Sequence, residues 1–283
     1  MLKKLIHYEF RSLLRTVIPL LCAIPVLGFL AGFFLTVNPA ITGIGELLGE
    51  NAESFLTVLS GVLTVVAFLG IAAAAAVACF LLLARFYQNF FTDEGYLTLT
   101  LPVSVDGLLI AKFVTAFLLV LATGVALLAG ALLFLGFVTE WEGNGFFSFA
   151  YLAQGWEELT KLLGELSREI GAGHVILIAA EIGINALASV VNTLSVAYLA
   201  ITLGNQVAKK HRVLASLGFH FLINAGLSTV FSVVGWLPFL SVSEDTLLAF
   251  LHVFLLIALI VSLAETAGAY FLTRHLLQRP NID

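Results

Sequence analysis

Charge is scarce in this chain. Asp, Glu, Lys and Arg together supply 11% of its 283 residues, against about a quarter in an ordinary soluble domain. A chain this long could form one or two soluble domains, but so little charge leaves no solvated surface to cover them. Cysteine is nearly absent too. Cys22 and Cys79 each sit inside an apolar run, where they behave as small apolar side chains. No disulfide is expected, and no Cys/His cluster has zinc-ligand spacing. Phosphate-binding GxxxxGK[ST] and dinucleotide-binding GxGxxG loops are missing, as are HExxH and GxSxG. The chain therefore has no apparatus of its own for hydrolysing ATP or a peptide bond, holds no cofactor, and is not expected to be an enzyme or to bind nucleic acid.

What is abundant is apolar sequence. Hydrophobic residues make up 60% of the chain and the mean hydropathy is +1.07. They fall in long runs with few charges, and a helical span requires about 20 such residues. The expected fold is all-α: a polytopic membrane protein forming a single transmembrane domain over 1–283. Spans are expected at 16–37, 55–84, 108–138, 173–204, 213–240 and 246–273, six transmembrane helices, some long enough to tilt. Eleven of the thirteen Lys and Arg residues fall at the N-terminus, at 85–112, at 209–212 or in the tail. Only Lys161 and Arg168 fall on the other side. The positive-inside rule then puts both termini in the cytoplasm, and an even number of spans satisfies it.

Residues 1–15 have the pattern of an amphipathic interfacial helix, with Leu2, Leu5, Ile6, Phe10 and Leu13 at helical spacing and Lys3, Lys4, Arg11 and Arg15 between them. The bland alternative is a basic start that only sets orientation. The apolar stretch that follows is longer than a signal-peptide core and lacks a convincing cleavage site, so it reads as a retained first span.

The extracellular loop 139–172 contains a second amphipathic stretch. Leu152, Trp156, Leu159, Leu163, Leu166 and Ile170 form one stripe, and Glu157, Glu158, Lys161, Glu165 and Arg168 cover the opposite face. It would rest on the outer membrane surface, or act as a gate or docking element. Within the spans, Gly28 and Gly32 form a GxxxG, and Gly70 with the alanines 72–76 smooths the second span, both suited to close helix packing.

Several spans carry polar side chains. Glu181, Asn185 and Asn192 share one helical face at about 100° per residue, His220 and Asn224 form an i, i+4 pair, and Glu265 lies in the last span. Such groups face another helix or a cavity, so they either hydrogen-bond between helices or line a translocation or proton path. His174 and His252, near span ends, read as interfacial.

The segment 85–107 carries Phe86, Tyr87, Phe90, Phe91 and Tyr96 around Asp93, Glu94 and Gly95. A plain solvated loop would not need so many aromatics. Gly95 permits a sharp turn, and Pro102 with Ser104 suits the opening of the next helix. The aromatics suit either a protein groove or the membrane interface.

The run Phe-Phe-Thr-Asp-Glu-Gly-Tyr-Leu-Thr-Leu-Thr-Leu-Pro-Val-Ser at 90–104, with Ala-Lys at 111–112, resembles the segment between spans two and three of type-2 ABC exporter permeases of Gram-positive bacteria. The stretch Lys-Leu-Ile-His-Tyr-Glu-Phe-Arg-Ser-Leu-Leu-Arg at 4–15 resembles that family's elbow helix. The tail at 271–283 resembles its end, with Pro-Asn-Ile-Asp for the family's Leu-Asn-Leu-Glu. The resemblance implies a permease subunit in the bacterial cytoplasmic membrane. Tyr87, Phe90, Phe91, Asp93, Glu94, Gly95 and Tyr96 would form a cytoplasmic coupling helix against a separate ATP-binding cassette ATPase subunit, which would supply ATP and Mg. A second permease chain, identical or a sister, would complete the pathway. The competing readings are a proton-coupled secondary transporter using Glu181, Glu265 and His220, and a membrane-bound sensory or immunity protein.

Overall fold

The computed structural model describes residues 2–38, 50–92, 95, 104–138, 150–208, 210–236 and 247–278. Seven helices account for nearly all of them: α1 (Leu2–Thr36), α2 (Glu50–Phe91), α3 (Val105–Val138), α4 (Ala150–Ile170), α5 (Ala172–Val207), α6 (Arg212–Trp236) and α7 (Leu247–Leu277), with no strand among the described residues. Five of them, α1, α2, α3, α5 and α7, are long and apolar enough to cross a membrane. Their outward faces are bare hydrocarbon: Leu69 is 65% exposed, Val125 66%, Ile176 71% and Phe271 61%. Water would penalise such continuous apolar belts, whereas lipid solvates them. This is a helical membrane protein.

The helices differ from the sequence reading in instructive ways. The expected interfacial helix over 1–15 and the first span are one continuous helix, running without a break through Arg15, Pro19 and Pro25. Its first turns are nevertheless amphipathic: Leu5, Ile6, Phe10 and Leu13 are buried or half-buried, while Lys3, Lys4, Arg11 and Arg15 are exposed. Likewise α2 does not stop at residue 84 but continues to Phe91, absorbing the start of the 85–107 segment. Ser104 opens α3, its Oγ accepting from the Gly107 amide at 3.2 Å. Gly171 joins α4 to α5 at φ 88°, a conformation side-chain-bearing residues rarely adopt.

The chain divides into two compact units, and α1, α2, α3 and α4 contribute to both. One comprises Arg11–Leu82 and Leu118–Leu166. Its packing is built on small residues. A Cβ added at Gly28 would lie 2.3 Å from the Gly130 carbonyl oxygen, and one at Gly32 would lie 2.9 Å from that of Phe134. Partner numbers rise together, so α1 and α3 run parallel there. Leu27 meets Gly70, while Ile24 shares a buried cluster with Ala74 and Ala126; partner numbers on α2 fall as those on α1 rise, so these two run antiparallel. Phe29 and Phe33 meet Phe137 edge-on, and Phe68 meets Phe134. The stripe of α4 is uncovered, with Trp156 67% and Leu163 43% exposed.

The other unit comprises Met1–Phe10, Leu83–Phe117 and Ser167–Asp283, and in it α5 packs against both α6 and α7. At Gly204 the α5 backbone meets Ser216 so closely that a Cβ would lie 2.3 Å from its Oγ.

Candidate functional site

The second unit holds two groups of polar and aromatic side chains. The first surrounds both ends of the segment between α2 and α3. On the α2 side, the Phe86 ring stacks flat on Tyr198 of α5, centroids 3.9 Å apart and planes 7° apart, and Phe90 packs on Phe86 at 5.0 Å. Asn89 Nδ2 donates to Glu9 Oε1 of α1 at 3.3 Å. On the α3 side, Lys112 forms an ion pair with the same Glu9 oxygen, the lysine buried and the glutamate half-buried. Phe113 meets Tyr198 edge-on at 4.9 Å. Asp106, in the first turn of α3, receives Arg274 at 2.8 Å and the Tyr270 hydroxyl at 3.1 Å, both from α7. The two flanks of the segment are thus tied to α1, α5 and α7.

Of the residues expected to dock on a partner, Tyr87 and Phe91 are half-buried at the end of α2. Phe90 is 6% exposed, so its ring belongs to the chain's own core and offers no surface to a partner in this conformation. The aromatic density that suggested a docking surface is in part internal packing. Gly95 is buried, its amide donates to the Thr92 carbonyl at 2.7 Å, and a Cβ there would meet the Phe90 carbonyl carbon at 2.7 Å. Only glycine fits this turn. Asp93, Glu94 and Tyr96 lie outside the described residues.

The second group is the seam between α5 and α7. Glu181 Oε2 lies 2.8 Å from His252 Nδ1. On its other side, His252 Nε2 lies 3.3 Å from His174 Nδ1. Asn185 Nδ2 bridges the helices, donating to the Glu181 carbonyl at 2.9 Å and to the Leu255 carbonyl at 3.1 Å. Asn192 Nδ2 donates to Glu265 Oε2 at 2.7 Å, and Gln206 Nε2 to the Leu276 carbonyl at 2.9 Å. Apart from His174 and His252, 78 positions apart, these interhelical partners are 70 to 73 positions apart, so α5 and α7 run parallel and in register.

The seam therefore brings Glu181, Asn185 and Asn192, on one face of α5, together with Glu265 of α7. It does not include His220 and Asn224. On α6 the Asn224 amide donates to the His220 carbonyl at 2.8 Å and lies against its imidazole. Sequence reasoning passed over His252 and His174 as interfacial. The available signal was that both sit on the apolar helices that carry Glu181 and Glu265. It also passed over Glu9, Asp106, Lys112 and Arg274 as partners, since charge pairs far apart in sequence leave no spacing to read. Among the described residues no group of three or more His, Cys, Asp or Glu is arranged to hold a metal ion. No protein-family model, curated protein or solved structure matches the chain.

Proposed function

We propose that the chain is the membrane subunit of an ATP-binding cassette exporter in the bacterial cytoplasmic membrane, driven by a separate ATPase subunit. It crosses six times, with α6 as the fifth span and both termini cytoplasmic. The observation that carries the reading is the anchoring of the segment between α2 and α3. A coupling element must be held firmly enough for a push on it to reach the spans, because only discrete, packed arrangements transmit such displacement. Phe86 on Tyr198, Glu9 with Asn89 and Lys112, and Asp106 with Arg274 link its flanks to α1, α5 and α7. Between them, Phe91, Asp93, Glu94 and Tyr96 meet the partner. ATP and Mg bind the partner, and a second permease chain completes the pathway.

The test is a pull-down of the tagged chain from native membranes with ATPase activity assayed in the eluate. Wild-type protein brings the ATPase with it. Phe91→Ala with Tyr96→Ala loses it while inserting normally, since truncating a central aromatic anchor costs about 2 kcal/mol or more. Phe90 is left intact, because its buried ring would confound folding with docking.

One observation favours a second reading. The His174–His252–Glu181 chain, continued along the seam by Asn192 and Glu265, suits proton-coupled secondary transport. Wild-type protein that brings down no ATPase yet transports on a proton gradient would select it.

A further inference from the structure

The turn from α5 to α6 and the end of α2 enclose an open hollow of about 500 Å³. Its lining has two chemistries. Lys210, His211 and Arg212 supply cationic and titratable groups at the start of α6, with the Tyr87 phenol beside them; Leu214 and Leu217 follow on the first turns of the same helix. All three basic residues are exposed, and Leu214 and Leu217 are 69% and 51% exposed. Among the described residues no carboxylate forms an ion pair with Lys210 or Arg212. Two unneutralised cations thus adjoin bare leucines where apolar helices end.

We propose that this hollow is a binding site for an anionic phospholipid. The phosphodiester sits among Lys210, Arg212 and His211, aided by the positive end of the α6 dipole. The Tyr87 hydroxyl lies at headgroup depth, as interfacial aromatics do, and an acyl chain runs along Leu214 and Leu217. A soluble phosphate would satisfy the cations but leave the leucines uncovered. A zwitterionic lipid would cover the leucines but bring its own cation to the basic cluster. Only a lipid with net negative charge answers both. The leaflet is the one facing the basic termini, and the site is independent of whether an ATPase or a proton gradient drives the protein.

The experiment is native mass spectrometry of the detergent-solubilised protein titrated with phosphatidylglycerol or phosphatidylcholine of the same acyl chains. Wild-type protein retains phosphatidylglycerol in preference. Lys210→Gln with Arg212→Gln reduces that retention at least about fivefold, each basic side chain near a membrane surface being worth about that factor. Lys3→Gln with Lys4→Gln, which removes two cations elsewhere, leaves it unchanged, and both variants elute from size exclusion as the wild type does. Glycerophosphoglycerol, the headgroup without acyl chains, does not displace the lipid at equal concentration. The proposal is overturned by absence of headgroup preference in the wild type, by retention in the Lys210/Arg212 variant, by equal loss in the Lys3/Lys4 variant, or by displacement with the soluble headgroup.

Discussion

Lys112 and Glu9 form a largely buried ion pair, with side chains 7% and 14% exposed, and Asn89 adds a second contact to the carboxylate. Two ions removed from solvent gain little over an apolar pair of the same volume, yet breaking such a pair leaves one charge stranded. Lys112→Ala is therefore expected to destabilise by about 3–5 kcal/mol. The double variant Lys112→Met with Glu9→Gln should recover most of that loss. Thermal unfolding in one detergent measures both, and a double variant less stable than Lys112→Ala would argue that the charges themselves hold the contact. Glycine at close approaches gives a second residue-scale test. Gly28→Ala forces α1 and α3 apart, because its Cβ would lie 2.3 Å from the Gly130 oxygen, whereas a Cβ at Gly61 meets nothing within 4 Å. Gly28→Ala should cost about 1–3 kcal/mol, as overpacking does, and Gly61→Ala should be near neutral. Equal unfolding temperatures for the two would sink the close-packing account.

At the scale of elements, the seam between α5 and α7 is a hydrogen-bonded helix pair in parallel register. Glu265→Gln keeps an acceptor for Asn192 Nδ2, while Glu265→Leu strands it. The Leu variant should lose about 0.6–1.7 kcal/mol relative to Gln, the range for interhelical hydrogen bonds in membranes. Identical unfolding of the two would mean that the contact contributes nothing. The polar face of α5 was legible because helical periodicity fixes which residues share a side. The helix covering that face was not, since a period says nothing of the neighbour; hence His252 looked interfacial until α7 lay beside Glu181. Helix ends were misread for a related reason. Basic residues at Arg11 and Arg15 change the solvent a turn prefers, not its backbone hydrogen bonds, so α1 runs straight from its amphipathic turns into its apolar ones. At the end of α2, aromatic composition alone cannot separate a ring stacked inside, such as Phe86 on Tyr198, from one turned toward a partner, and Phe90 falls on the inner side of that divide.

Across the whole molecule, the alternation of directions agrees with a chain threading back and forth through a bilayer. Within one unit α1 and α3 run parallel with α2 antiparallel, and within the other α5 and α7 run parallel. Short connections then assign sides. The connection between α5 and α6 and the end of α2 carry or adjoin basic residues, whereas α4, between α3 and α5 in the sequence, carries Glu157, Glu158, Glu165 and Glu169, so the positive-inside rule predicts α4 on the outer side. Helix α4 is the sensitive test, because its stripe is uncovered and its polar face carries the ion pair of Glu157 with Lys161 at 2.9 Å. An amphipathic helix with this partition lies flat at a membrane surface, apolar face inward, so its polar face should meet water outside the cell. Cys22 and Cys79 are free and exposed and are first replaced by serine. A single cysteine at Glu158 is then expected to react with an impermeant thiol reagent added to intact cells. One at Leu163, on the stripe, should react far more slowly, and those at Thr92 and Lys210 only after the cells are opened. Labelling of position 92 from outside would invert the assignment of sides. Equal labelling of 158 and 163 would lift α4 off the membrane and leave its stripe for a protein partner.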